Sequence, residues 1–580
     1  MKRRFLVCVS DRNEAKRALE ILNGQKDSKI IAISQEAEFF LKEKLVNWQN
    51  PLYDFVLNPR FRSKDYVFTN FSLASDFCSD KYLQHFKIRL GYFLAELERS
   101  LDLTNAMLQK YKPKLLLIGE VKNYPGSSVV DGTLKTNALW LLAKEQKIPY
   151  RLIGDSKKNL SFTQLIGKKI QLLRYLGKQK LGGECDLLIL ATPSHLIRMA
   201  PVINKIKGEG LDVTILTYSV TLDLKRQLDK NFSFYLEKER LLDSKIRKEA
   251  KKIYEKVING KPWKKFYSVK YKKHPAVLNY IRWKIQNILR NETSETFADI
   301  LLAETILTKL KPKALLVTTD PDTKILPYIN CAKENGIKTI CIQHGAFTGS
   351  DSPAVYPASE YFISWSYLSR KFLRKVPHFK KIQILAGTSP FHKLKILPKK
   401  PSKSKNLSIL YLCTKHPAVE KGLITFYQKK LFDTLSGIDV DFRLLVRVHP
   451  YQEMSNLKSL IENFNHPSSF ANDRPLEEVI SASDLVIFEN TTAGFDAMLA
   501  GKPTIYFNPY TGADYFNTRS YNASFAILNI NDLQFGFPKF VGERWQWQGY
   551  SMRGRTFAQK YLGLDYPMSR IVQVIEELIN

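Results

Sequence analysis

Short, uniformly apolar runs recur along the chain, and the segments between them carry apolar residues at helical spacing. Runs at 5–9, 30–33, 115–118 and 150–153 fall in a first block. Those at 186–190, 213–217, 314–317 and 339–342 fall in a second, and those at 407–412, 442–448, 485–488 and 504–507 in a third. Runs apolar on both faces predict parallel strands buried beneath helices, and helices are expected at 194–206, 295–310 and about 495–499. Gly182-Gly183 and the Pro/Lys/Ser-rich linker at 397–405 separate the blocks. The expectation is an α/β protein with a Rossmann-like domain at 1–182, a second at 183–396 and a third at 406–580. A basic helical insertion is expected at 221–290.

Two blocks share a phrase. YKPKLLLIGE (111–120), a helix and KEQKIPYRLIGD (144–155) parallel LKPKALLVTTD (310–320), a helix and KENGIKTICIQHG (333–345). This predicts that the first domain is a relative of the second, although common βαβ grammar produces similar phrases.

The stretch 485–507, LVIFENTTAGFDAMLAGKPTIYF, predicts a strand, a hydroxyl-rich turn, a helix ended by Gly501, and a returning strand. Such a turn offers free backbone N–H groups at a sheet's carboxyl edge, where phosphates settle. An ordinary capped helix accounts for the same pattern.

With 580 residues the chain has material for two to four domains, and no apolar run approaches the length of a bilayer span. The apolar stretch after Met1 is about five residues and breaks at Asp11, so it reads as a first core strand, not a leader, and a cytoplasmic location is expected. Six cysteines without a CxxC pair argue against a disulfide scaffold or a zinc site.

The formal net charge of +33 stands out. Residues 221–290 hold twenty Lys/Arg against seven Asp/Glu, and 256–290 hold ten Lys/Arg and no acid. Trp263, Phe266, Tyr267, Tyr271, Tyr280 and Trp283 are interleaved there. That mixture suits the anionic inner face of a membrane, and also nucleic acid or a solvated insertion. No nucleic-acid module is recognisable, so the membrane surface is favoured.

Candidate chemistry sits where strands end. Gln343-His344-Gly345 closes one strand, and an imidazole there suits proton abstraction from a hydroxyl. Asp320 and Asp322 close a neighbouring strand and offer an alternative base, or helix capping alone. His449-Pro450 closes another, with Arg447 expected to present its guanidinium to a phosphate. Lys415 and His416 follow the third block's first strand. Glu489 is expected to accept from a ribose or sugar hydroxyl, and Asn490, Thr491 and Thr492 to line the phosphate turn. Asp496 favours the first turn of a helix. No Walker loop, GxGxxG strand turn or metal-ligand spacing occurs, so no metal or bound cofactor is expected.

Together IQHGAF, SEYFISWS, ILAGTSPFHKL, RVHP and ENTTAGFDAMLAGKPTIYF resemble bacterial surface-polysaccharide transferases of the GT-B architecture. The likeness is to capsule-type Kdo transferases and CDP-glycerol glycerophosphotransferases, over residues 310–515. It implies two facing Rossmann-like domains, with an additional N-terminal domain. It also implies a cytidine-linked donor and a glycan or lipid-linked acceptor, with His344 as base and His449, Thr491 and Thr492 on the donor phosphates. One departure is His392 in GTSPFHKL, where relatives tend to have aspartate. A nucleotide-sugar epimerase of the same shape and a non-catalytic basic binding protein are the competing expectations.

Overall fold

The computed structural model describes residues 5–9, 12–22, 28–32, 41, 86–119, 133–153, 183–217, 222–228, 233–236, 248–249, 251–252, 255, 275–319, 324–346, 357–376, 379–392, 407–414, 421–449 and 455–580. Among them, seventeen strands build three wholly parallel sheets. The first contains β1 (Phe5–Val9), β2 (Ser28–Ala32), β3 (Leu115–Ile118) and β4 (Tyr150–Leu152), in the order β2-β1-β3-β4.

The second is formed by β5 (Leu187–Leu190), β6 (Val213–Thr217), β7 (Ser233–Leu236), β8 (Ala314–Val317), β9 (Lys338–Ile342), β10 (Tyr361–Ser364) and β11 (Gln383–Ala386). Its order is β7-β6-β5-β8-β9-β10-β11. The third holds β12 (Leu407–Cys413), β13 (Phe442–Val448), β14 (Ser468–Phe470), β15 (Leu485–Phe488), β16 (Thr504–Phe507) and β17 (Phe525–Ile527). They run in the order β14-β13-β12-β15-β16-β17. Both sheets start in the middle, wind outward for three strands, then cross back and wind the other way. The reversal opens a crevice at the carboxyl ends of β5 and β8, and another at those of β12 and β15. This doubly wound pair is the GT-B arrangement expected, with the four-stranded domain added in front.

The central strands form because every side chain has an apolar partner. Leu187–Leu190, Ala314–Val317, Leu485–Phe488 and Thr504–Phe507 are buried throughout. The internal repeat holds at the backbone. Lys112 and Lys311 both adopt positive φ (43° and 39°) before their strands, and each N–H bonds back to the carbonyl of Leu108 or Leu307. Lys147 and Gly336 share a second left-handed turn, at 54° and 68°.

The expected insertion at 221–290 needs correction. Its described ends are parts of the second domain: β7 pairs with β6, and the helix Pro275–Leu310 is continuous with the expected 295–310 helix. Val277, Tyr280 and Ile281 are buried. Tyr280 accepts a hydrogen bond from Asn137 Nδ2 at 2.8 Å and lies beside Phe93. Tyr280 is therefore packed against the first domain, where a phenol needs a partner, and not presented to a membrane. Residues 256–274 and the linker at 397–405 lie outside the described residues.

The third domain's boundary also shifts. Its last helix, Ser569–Ile579, joins the second domain's core. Ile571, Val572, Val574 and Ile575 pack with Leu196, Met199, Ala200 and Ile203. Each such side chain contributes about 2 kcal/mol when fully buried. Just before this crossing, the helix Trp547–Leu562 ends against the second domain. Ser366 Oγ donates to Tyr561 O at 2.8 Å, Ser389 N–H to Leu562 O at 2.8 Å, and Thr388 Oγ1 to Gly563 O at 2.7 Å. Carbonyls that a helix end leaves unpaired are thus satisfied by the neighbouring domain.

Gly563 makes this docking fit. It has φ +68°, and a Cβ there would press into the Trp365 carbonyl oxygen. Gly563→Ala is expected to lower stability by roughly 2–4 kcal/mol, from left-handed strain plus overpacking. Gly336, also at φ +68° but with open space around its Cβ position, supplies the comparison. Gly336→Ala should cost only about 1 kcal/mol in the same denaturant titration.

Candidate active site

Four strand ends of the second sheet converge at its reversal. β5 runs into Thr192 and the helix Pro193–Gly208, whose first turn carries His195 and, one turn on, Arg198. Proline opens this helix because its missing N–H is not needed there. β8 ends at Thr318, β9 at Gln343-His344, and β11 leads to Phe391 and His392. His195 Nδ1 lies 2.8 Å from Thr318 Oγ1, closing the crevice between β5 and β8. The His195 and His344 rings are 5.1 Å apart between centroids, and Phe391 stands 6.0 Å from His195. The Arg198 guanidinium lies over the Phe391 ring at 5.4 Å.

This cluster is electropositive and half-buried. Burial, with smaller contributions from His344 and Arg198, pushes His195 down to about 4. Burial also holds His344 below its ordinary value. A hydrogen bond with the Thr318 backbone works against that, and the Arg198 charge adds to the lowering. Because the Thr318 bond favours the charged ring, His344 donates in it, to the carbonyl. Its other nitrogen then keeps a lone pair at neutral pH.

Gln343 sets the loop that carries His344. It is fully buried, and its Oε1 accepts from Trp365 N–H at 3.0 Å and Ser369 Oγ at 2.7 Å. Its Nε2 donates to Gly345 O at 3.0 Å, while the Trp365 indole donates to Gln343 O at 2.6 Å. Gln343 therefore supports the loop from beneath.

In the third domain, β12, β13 and β15 end side by side, which places Thr414, His449 and the turn from Glu489 to Thr492 along one edge. Two expectations change here. Glu489 is fully buried. Tyr411 and Tyr510 hydroxyls each donate to its Oε1 at 2.5 Å, and Thr414 N–H donates to Oε2 at 2.7 Å. Burial holds both phenols protonated, well above their ordinary range. With both oxygens engaged, Glu489 ties β12 to β15 and is not an acceptor for a sugar hydroxyl. Arg447 likewise spends Nη1 on the carbonyls of Ala471 (2.8 Å) and Arg474, pinning the loop beyond β14, so part of its guanidinium serves the fold and only the Nε and Nη2 edge lies outside that tie. Asn472, from that loop, brackets Val448 through both its amide atoms and so supports half-buried His449.

Asn490 accepts from the Tyr506 hydroxyl. Thr491 Oγ1 accepts from Ala493 N–H at 3.3 Å, whereas Thr492 makes no cap bond. Thr492 Oγ1 instead accepts from Ala346 N–H of the facing domain at 3.4 Å, with Gly345 close beside it. Asp496 also reaches across. Its Oδ1 is 3.9 Å from His392 Nε2, and His392 Nδ1 is bonded to Ser389 Oγ at 2.7 Å. The two loops that resemble transferase motifs thus meet at the interface. Asp320, Asp322, Lys415, His416 and Pro450 lie outside the described residues. Among the described residues no group of three His, Cys, Asp or Glu is placed to hold a metal ion.

A model of LIC12162 family transferases matches residues 196–538, more than half of the chain. The chain belongs to the LIC12162 transferase family. No curated protein matches it. Among solved structures, the Methanocaldococcus jannaschii UDP-GlcNAc 2-epimerase is 14% identical with a TM-score of 0.42, over 68% of this chain and 99% of that one. Acinetobacter baumannii MurG is 12% identical at 0.38, over 68% and 99%. A glycosyltransferase from Rickettsia africae is 14% identical at 0.42, over 69% and 100%. At this distance none of them assigns a substrate to this LIC12162 family member.

His195, Arg198, Thr318, Trp365 and Asn472 were not singled out from sequence. The strand-end rule that found His344 also applies to His195, which follows the end of β5 at Leu190 by one short turn. Replacing Gln343 by Leu leaves buried donors on Trp365 and Ser369 unpaired. The variant is expected to lose about 2–4 kcal/mol of stability in chemical denaturation.

Proposed function

We propose that this LIC12162 family transferase is a glycosyltransferase of bacterial surface-polysaccharide synthesis. It moves a sugar from a nucleotide-activated donor, with a cytidine-linked (CMP-sugar) donor favoured, to a hydroxyl of a glycan or lipid-linked acceptor. The single observation that carries this reading is the contact between the loop that follows His344, through Ala346 N–H, and Thr492 Oγ1 of the facing domain's turn.

The residues suit the chemistry in sequence. His344 donates to the Thr318 backbone, which leaves its other ring nitrogen to take the acceptor's proton as the oxygen attacks the sugar. The turn from Asn490 to Thr492, with His449 on the neighbouring strand end, is assigned to the donor's phosphates. Fixed N–H and hydroxyl donors there stabilise the leaving group without reorganising. Apposition of the two edges orients acceptor and donor and excludes water. A CDP-glycerol-type glycerophosphotransfer uses the same base and the same phosphate turn, and the motifs shared with that family favour it as the second reading.

Three measurements test this. His344→Ala is expected to lower transfer at least about 10²-fold while melting as the parent does. Near-normal turnover would remove His344 from the mechanism, and conversion of donor without any acceptor would replace transfer by epimerisation. In a thermal-shift series with CMP, CDP, UDP and GDP, the cytidine nucleotides should stabilise most, because only a ligand of the native state raises apparent stability. The acid limb of kcat/KM should lie below the ordinary histidine value of 6.5, since activity requires a neutral ring and burial disfavours the charged one. Arg198→Gln removes a lowering charge, so that limb should move toward higher pH.

A further inference from the structure

Three large apolar side chains stand out from the third domain. Among the described residues, Trp545 (79% exposed), Phe535 (71%) and Met552 (65%) are the most exposed large hydrophobics, and all fall between 532 and 552. In sequence they lie on either side of the short helix Phe537–Gly542. Phe535 lies in the turn Asp532–Gly536 before it, Trp545 in the turn Arg544–Gln546 after it, and Met552 on the helix Trp547–Leu562.

Their exposure does not come from loose packing. Leu533, Phe537, Phe540, Val541 and Trp547 are buried in the third domain's core. The Phe540 ring is stacked on Phe525 at 4.8 Å, and the Trp547 indole donates to Phe540 O at 2.9 Å. Inward and outward rings alternate on a rigid base, so Phe535 and Trp545 are held in water at a hydrophobic cost.

The charge around them is net basic. Residues 532–560 hold five Lys/Arg against two acids. Both acids are engaged within the segment. Asp532 accepts from Leu528 N–H and Asn529 Nδ2 at 2.9 Å each, and Glu543 is paired with Lys539 and Gln546. Lys539, Arg544 and Arg553 are exposed. Indole and phenyl rings flanked by outward bases fit a bilayer with anionic lipid, where rings settle at headgroup depth and bases meet lipid phosphates. A second copy of the chain would bring like charges face to face.

We infer that Phe535, Trp545 and Met552, with Lys539, Arg544 and Arg553, form a face that docks the third domain on an anionic membrane surface. It is separate from the 256–290 segment, and from the transferase reading, since binding is measured without substrate. The full chain is sedimented with vesicles of phosphatidylcholine alone and of equal parts phosphatidylcholine and phosphatidylglycerol. The mixed vesicles should retain it and the neutral ones should not. Phe535→Ser with Trp545→Ser should lower vesicle affinity at least about tenfold, since each ring's burial is lost. Lys539→Glu with Arg544→Glu should do the same, and both variants should melt as the parent does. Unchanged binding in either variant overturns the assignment. So does a dimer in light scattering that the ring substitutions dissociate while vesicle binding persists. Retention of single-stranded RNA without vesicle binding, lost on the same substitutions, gives the face to nucleic acid and overturns it as well.

Discussion

The site depends on one buried amide. Gln343 has no charge to place and no solvent to satisfy it, so its carbonyl and amino groups must find protein partners. It finds them in Trp365 just past β10, Ser369 on the helix Tyr367–Leu373, and Gly345 in the loop after β9. The consequence is rigidity beside the proposed base. The residue after Gln343 is His344, and the backbone that carries it is held from both sides. Trp365 then passes the constraint on, with its ring edge-on to His392 at 5.2 Å and to Tyr561 at 6.2 Å. One amide thus fixes both the orientation of the ring and the seat of the third domain's last turns.

Much of the fold was legible because its central strands are apolar on both faces. LLIL, ALLV, LVIF and TIYF admit one reading, and the positions of β5, β8, β15 and β16 follow from it. The strands that were not foreseen (β7, β10, β11, β14 and β17) are short and mostly toward sheet edges, where one row of backbone groups is unpaired and side chains alternate less regularly. The true extent of the helix Pro275–Leu310 was hidden for another reason. Near its start Arg282 is exposed while Tyr280 faces a domain far away in sequence, and periodicity does not report a partner.

The site residues divide along the same line. His344 and the Thr491-Thr492 turn were legible because strand ends and turn residues are local signals. His195 meets Thr318 across 123 positions, and no local pattern marks such a pair. Glu489 and Arg447 show the converse. A charged residue beside a strand end looks like a ligand contact, yet a buried charge in a packed sheet first has to satisfy itself. Glu489 does so with two phenols and a backbone N–H, while half-buried Arg447 gives its Nη1 to two carbonyls. Their partners lie on other strands, so only the fold tells a builder of the crevice from an occupant of it.

That distinction shapes the electrostatics left for substrate. Once Glu489 is satisfied by its donors, the described lip of the crevice offers hydroxyls and amides on the third domain, and Arg198 with two neutral imidazoles on the second. Such a surface is poor at holding a bare cation and well matched to a negatively charged molecule with a nearby hydroxyl. It also separates two duties that a single charged residue would confuse. In the proposed reaction the hydroxyls and amides of the turn serve the anion, and the proton falls to a ring kept uncharged through burial. In the proposed reaction the Thr318 carbonyl sets the His344 tautomer and the Arg198 charge disfavours a second proton on the ring, which is the state from which a general base starts.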